Sequence, residues 1–138
     1  PDVRTIDAER TFWDKVVILH GLRNWFETRG ELKQDGQRIS RHYYDLHCML
    51  ETETGKRAVT DVELGRDCVA HAKTFFNRPD FNLATAESGT FSLVPPEDMA
   101  ARLVGDYKNT EAMIFGEAPS FEAILASIKA LEEKLNRP

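Results

Sequence analysis

The sequence predicts an all-α fold: about five helices in a compact bundle, with one long irregular loop at roughly residues 78–96. Apolar residues recur at helical spacing in five segments, and residues that favour helix starts and stops lie between them. The chain has 138 residues, of which 41% are hydrophobic and 30% charged, as in one globular domain. We therefore treat residues 1–138 as a single helical domain.

The first predicted helix runs from about Asp7 to Thr28. Asp7 is a favourable N-cap residue, and Gly30 is a favourable stop. The apolar positions of this helix form one stripe: Phe12, Val16, Leu19, Leu22 and Phe26. The next segment, 29–38, is polar and contains glycine, so it is predicted to be a loop.

Two further helices are predicted in the middle of the chain. One covers about residues 39–52 and is ended by Gly55. Its apolar face carries Ile39, Tyr43, Leu46 and Leu50. The other begins at the cap Thr60, with Glu63 completing a capping box, and runs to about Phe76 before the stop at Pro79.

The long irregular stretch follows, and two more helices end the chain. Residues 90–94, "TFSLV", are predicted to be extended, and a loop of this length usually has a function or wraps the core. Pro96 opens the fourth helix at its first position, and this helix reaches about Thr110. Ser120 caps the last helix. The buried stripe of that helix is predicted to be Ile124, Ile128, Leu131 and Leu135.

Bulk properties disfavour several classes of protein. A net charge of -5 argues against a chain that binds nucleic acid strongly as a whole. The longest apolar run, Val16–Leu19, is far shorter than the roughly 18 residues of a membrane span. Nothing resembles a signal peptide, and Cys48 and Cys68 are predicted to be reduced core thiols. These features predict a cytoplasmic protein.

Two charged residues stand out beside the apolar stripes. Lys15 flanks the stripe of the first helix, where it either extends outward to solvent or directs its ammonium group into a cleft that holds a phosphate. Asp45 lies four residues after Arg41 and three after His42. It is either part of an ion pair on the helix surface or a carboxylate offered to a metal, a substrate hydroxyl or a proton.

The remaining polar residues of "RISRHYYDLHCML", residues 38–50, allow more than one interpretation. Tyr43 lies on the apolar face and is predicted to be buried, whereas Tyr44 is either a core residue or a stacking surface for a base. His42 and His47 are five residues apart and point to different faces. The histidine spacing predicts no metal site.

The segment "RHYYDLH" resembles the Arg-polar-x4-His signature of the HEPN ribonucleases, which are all-helical and of similar size. That resemblance implies that Arg41 and His47 act together on an RNA phosphodiester. In that family the motif usually lies late in the domain, whereas here it lies early.

A second resemblance covers nearly the whole chain. The segments "ERTFWDKVVILH", "RISRHYYDLHCML", "AKTFFNRPDFNL" and "GTFSLVPPEDM" resemble, in this order, the C-terminal region of nucleotidyltransferase-like toxins of the AbiEii/AbiGii type. Lys15 matches the lysine of the family's third motif, and Asp45 matches an aspartate of the fourth. Ile18 replaces a small residue of the third motif, and Tyr43 and Tyr44 replace a lysine and an aspartate of the fourth.

This resemblance implies roles for the two residues that match the family motifs. Lys15 would bind a nucleotide, and Asp45 would belong to the catalytic site. Arg41, which is placed to hold the Asp45 carboxylate, is a further candidate for the catalytic site, and Tyr44 and His42 are candidate substrate contacts. The intact family uses a nucleoside triphosphate and magnesium, and some members modify the ends of RNA acceptors. Lys15 and Asp45 are then expected within roughly 10 Å of each other, in contact or separated by one water.

The family's Gly-Ser turn and metal-binding carboxylates belong to an N-terminal nucleotidyltransferase domain, which is absent from this sequence. The chain alone is therefore expected to be inactive and to bind no cofactor tightly. Its expected partners are that domain, an antitoxin protein and an RNA acceptor, but no membrane. A non-catalytic interaction module is the remaining alternative.

Overall fold

The fold is all-α, as predicted. The computed structural model describes residues 3–32, 39–75, 81–111 and 118–137, and within these ranges it contains six α-helices and no strand. The helices are α1 (Val3–Arg29), α2 (Ser40–Leu50), α3 (Glu53–Thr60), α4 (Val62–Phe75), α5 (Glu97–Glu111) and α6 (Phe121–Asn136). The described ranges contain one more helix than the sequence predicts, because a short helix occupies the connection after α2.

Helix α1 begins earlier than predicted and ends where predicted. It starts at Val3, so Asp7 lies inside the helix and is not its N-cap. At the other end, Gly30 adopts a positive φ of 71° and its N–H donates to the Phe26 carbonyl at 2.7 Å. This is the left-handed glycine stop that the sequence predicts. The predicted stripe of α1 is buried along its whole length.

The predicted second helix is divided into two. Helix α2 ends at Leu50, and Gly55 is the third residue of α3 rather than a stop. The side chain of Thr52 caps α3 by accepting a hydrogen bond from the Gly55 N–H at 3.0 Å. The sequence alone assigns Gly55 to a helix end. In the structure, close packing inside α3 requires glycine at this position.

The start of α4 differs from the prediction by one residue. Asp61 caps the helix, since its Oδ1 accepts the Leu64 N–H at 3.1 Å, and aspartate is a better cap than threonine. Thr60 instead ends α3, and its hydroxyl donates to the Arg57 carbonyl at 2.8 Å. The predicted helix end at Phe76 and the predicted stop at Pro79 lie outside the described residues.

The last two helices agree closely with the prediction. Helix α5 begins at Glu97, directly after Pro96, whose carbonyl accepts the Ala100 N–H at 2.8 Å. Pro96 therefore precedes the first helical residue instead of occupying it. Ser120 caps α6 by accepting the Ala123 N–H at 3.1 Å. All four predicted stripe residues of α6 are buried.

The long loop wraps the core and is held by side chains from α6. Phe91 and Leu93 are buried, and residues 90–94 form no strand. Asn136 accepts the N–H groups of Gly89 and Phe91 and donates to the Phe91 carbonyl at 3.0 Å. Glu132 accepts two more N–H groups, from Leu93 and the residue after it. Side chains thus satisfy backbone groups that another strand would satisfy in a sheet.

A buried histidine of α1 holds the same loop from the other side. His20 is fully buried, and its Nδ1 accepts the Ser92 N–H at 3.0 Å. The neutral ring therefore carries its proton on Nε2, which lies 3.0 Å from the Asn82 carbonyl. Burial lowers the pKa of His20 below its usual 6.5.

This histidine makes the stability of the domain depend on pH. As pH falls below the usual 6.5, His20 is protonated in the unfolded chain but stays neutral in the folded one. The unfolded state then binds more protons, so the free energy of unfolding is expected to fall until pH reaches the lowered pKa. Urea unfolding followed by circular dichroism between about pH 7.5 and about pH 5.5 measures this loss. The His71→Asn variant, which is changed at an exposed histidine, should show the same loss of stability. A urea midpoint that does not depend on pH would contradict the prediction.

Helix α2 lies between the two halves of the fold. It packs against α1 and α3 on one side and against α5 and α6 on the other. Asp106 of α5 caps the N-terminus of α2, because its Oδ2 accepts the Ser40 N–H at 2.7 Å. The apolar side of α2 buries Tyr43 and Leu46, which leaves its polar side free to meet α1.

Candidate active site

Lys15 and Asp45 form a direct ion pair between α1 and α2. The ammonium Nζ of Lys15 lies 3.2 Å from Asp45 Oδ2, so the predicted proximity is confirmed. The Lys15 side chain is only 19% exposed, and it reaches across to α2 instead of extending into solvent. Its neighbours Phe12 and Val16 are fully buried, which fixes the base of the side chain at the edge of the core.

Arg41 adds a second cation to Asp45. Its Nε lies 3.9 Å from the same Oδ2 atom, and its side chain is 71% exposed. An exposed pair at this distance contributes little to stability, on the order of a few tenths of a kcal/mol. Asp45 thus has one partly buried cation and one exposed cation, which together carry an excess positive charge.

His42 completes the group. Lys15 Nζ lies 3.1 Å from its Nδ1, so the ammonium donates to the neutral ring, which carries its proton on Nε2. Burial lowers the pKa of His42, the cation of Lys15 lowers it further, and Asp45 opposes them. Sequence reasoning places His42 near substrate but does not predict its contact with Lys15. Its spacing of three residues before Asp45 places both residues on one face of α2, but spacing within one helix does not indicate a contact with a residue of α1.

The two tyrosines of the motif differ in environment. Tyr43 is fully buried and packs edge-on against Phe121, with ring centroids 6.2 Å apart, which confirms its predicted core position. Its hydroxyl is buried without a hydrogen-bond partner, and burial raises its pKa. Tyr44 is half-buried, and a hydrogen bond with Cys48, one turn along α2, raises the pKa of its hydroxyl. A contact between Tyr44 and substrate remains a prediction.

His47 belongs to a different contact. Its Nδ1 lies 2.7 Å from the Ser127 hydroxyl of α6, and its Nε2 lies 3.9 Å from the Glu51 carboxylate. Arg41 instead interacts with Asp45, on the side that meets α1. The two residues of the ribonuclease-like signature therefore engage separate partners, and the geometry favours the Lys15–Asp45 group as the candidate site.

The described part of the chain has neither a cluster suited to a metal ion nor a membrane-spanning helix. No cluster of three or more histidine, cysteine, aspartate or glutamate side chains in it is suited to hold a metal ion. No helix in the described ranges is long and apolar enough to cross a membrane. Both cysteines are free thiols; Cys68 is buried, whereas Cys48 is only half-buried.

Comparison with known families identifies the family to which the chain belongs. The family model described as nucleotidyl transferase AbiEii toxin, type IV TA system, matches residues 1–127 of the chain. No curated protein and no solved structure shows a significant match. The matched range contains α1 and α2, and with them Lys15, Arg41, His42 and Asp45. The chain belongs to the AbiEii family of nucleotidyltransferase toxins.

Proposed function

We propose that this chain is the helical part of a nucleotidyltransferase that transfers a nucleoside monophosphate to an RNA or another acceptor. The observation that supports it most directly is the 3.2 Å contact between Lys15 and Asp45. These are the two residues that match the family motifs in sequence, and tertiary packing brings them together from separate helices.

In this proposal Lys15 binds the triphosphate of the substrate. An ammonium group has three protons to donate, and two of them are directed at His42 and Asp45. A phosphate oxygen competes with Asp45 for Lys15, because hydrogen bonds between ionised groups are short and strong. The exposed guanidinium of Arg41 is free to move onto the same phosphates.

Asp45 then has a second role. Once the phosphates engage Lys15, the Asp45 carboxylate is available to orient an acceptor hydroxyl and to receive its proton. Tyr44 and His42, on the same helix, are proposed to contact substrate.

Magnesium is assigned to another part of the site. The described residues offer no cluster suited to a metal ion, so they do not fit a magnesium site by themselves. We propose that the carboxylates of an N-terminal nucleotidyltransferase domain, outside this chain, hold the ion that neutralises the transferring phosphoryl group. An antitoxin protein is the proposed regulatory partner, in keeping with the toxin family.

Nucleotide transfer by an Asp45→Asn variant tests this function. The full-length protein from the reading frame that contains this chain would be incubated with RNA, magnesium and triphosphates labelled at the α-phosphate. Asparagine keeps the shape of the side chain but cannot accept a proton, so transfer is expected to fall on the order of 100-fold or more. Asp98→Asn, at an exposed position of α5, is the matched control. Transfer by Asp45→Asn at the rate of the control would refute the role of Asp45.

A further inference from the structure

His42 has the surroundings of a group that responds to an anion at Lys15. Its Nδ1 accepts a hydrogen bond from Lys15 at 3.1 Å, and the same ammonium lies 3.2 Å from Asp45. Lys15 therefore joins His42 to Asp45, although both belong to α2. Any ligand that draws the ammonium away changes the charge around the imidazole.

In the free domain, three influences keep this imidazole neutral. It is partly desolvated, the Lys15 ammonium occupies its only acceptor nitrogen, and Arg41 adds positive charge from the previous position of α2. Asp45 is the one described group that favours the protonated ring. These influences lower the pKa of His42, so it is uncharged near neutral pH.

A bound triphosphate reverses these influences. Its negative charge offsets Lys15 and Arg41, and the ammonium turns toward the phosphates, which leaves Nδ1 without its donor. Asp45, three residues along the same helix, loses the nearer of its two cations. An imidazolium in this position would face both a carboxylate and a phosphate.

We propose that His42 is a second anion-binding residue of this site, one that takes up a proton from solvent when a triphosphate draws Lys15 away from it. This inference rests on the proposed binding of nucleotide at Lys15. The proton adds to Nδ1, the nitrogen that Lys15 vacates, and the imidazolium then donates from both ring nitrogens. Nucleotide binding and proton uptake are coupled, so each promotes the other.

The test is the pH dependence of binding, measured by calorimetry with ATP in excess magnesium and the full-length protein from the reading frame that contains this chain. Under these conditions the phosphates of the ligand stay ionised near neutral pH. Affinity of the unmodified chain is expected to rise about threefold or more from about pH 7.5 to about pH 6.0, with a limit of about tenfold per pH unit for one complete proton. Binding enthalpies in two buffers with different ionisation enthalpies give the number of protons taken up.

Two variants separate the role of His42 from a general effect of pH. His42→Asn keeps an acceptor for Lys15 but does not titrate, so its affinity should be nearly constant across this range. His71→Asn, at an exposed histidine of α4, should keep the slope and the proton uptake of the unmodified chain. Circular dichroism of each variant verifies its fold.

The outcomes distinguish this inference from the proposed function. If Lys15→Met abolishes binding while His42→Asn keeps the slope of the unmodified chain, nucleotide binding at Lys15 stands and the role of His42 is wrong. Proton release on binding would also overturn it. If the full-length protein binds none of the four ribonucleoside triphosphates, or Lys15→Met binds them equally well, the proposed function fails and this inference fails with it.

Discussion

Replacing Lys15 with methionine is expected to weaken nucleoside triphosphate binding by about 10- to 100-fold, because hydrogen bonds to charged groups contribute about 1.5–3 kcal/mol. Methionine preserves the length and apolar stem of the side chain, which lies at the edge of the core beside Phe12 and Val16. The change removes only the ammonium group that contacts Asp45 and His42. Anisotropy of a fluorescent triphosphate, at one fixed pH and salt concentration, measures the affinity.

Two further variants make this measurement specific. Lys129→Met removes the same charge from an exposed position of α6 and should change affinity little. Lys15→Arg keeps the charge but not the compact shape of the ammonium, so partial binding is expected. If Lys15→Met and Lys129→Met weaken binding equally, the triphosphate responds to net charge alone and the site lies elsewhere.

Replacing Gly55 with alanine is expected to lower the free energy of unfolding by about 3 kcal/mol or more, since a tightly packed site cannot accept an added methyl group without a shift of the chain. A Cβ atom at this position would lie 1.8 Å from the Met49 carbonyl oxygen, which is backbone and cannot rotate away. That carbonyl already accepts two hydrogen bonds from Thr52, through its N–H at 3.1 Å and its hydroxyl at 2.7 Å. The corner between α2 and α3 would therefore have to open.

The same substitution at Gly105 should have the opposite effect. Gly105 lies in α5, and a Cβ atom there would meet nothing within 4 Å. Alanine is the better helix former by about 1 kcal/mol, so Gly105→Ala is expected to stabilise the domain. Thermal unfolding followed by circular dichroism should give melting temperatures that move in opposite directions for the two variants. A Gly55→Ala melting temperature equal to that of the unmodified chain would show that the α2–α3 corner is not closely packed.

Local signals in the sequence were sufficient for the fold class and for several helix ends. The Gly30 stop, the Ser120 cap and the buried stripe of α6 depend on residues within one or two turns of each other, so pattern alone identifies them. Local patterns misled where two signals competed. Thr60 and Asp61 are adjacent caps, and Gly55 has the usual identity of a stop although it lies inside α3.

The pairing of Lys15 with Asp45 was predictable only in outline. Their helical positions and their match to family motifs suggested one site, because helices joined by a short loop pack side by side. The involvement of His42 was not predictable, since it depends on how α1 and α2 meet at the scale of single ångströms. Sequence spacing does not contain that information.

The sequence by itself determined the all-α class, the apolar stripes and the residues that carry charge, because these follow from periodicity and from side-chain chemistry. Only the tertiary structure decided how buried polar groups find partners. Asp106 caps a helix 66 residues away, Glu132 and His20 hold the long loop from opposite helices, and Lys15 reaches two residues of α2. The reason is physical: most buried polar atoms are hydrogen-bonded, but which of many distant groups serves as the partner is set by the packing of the whole core.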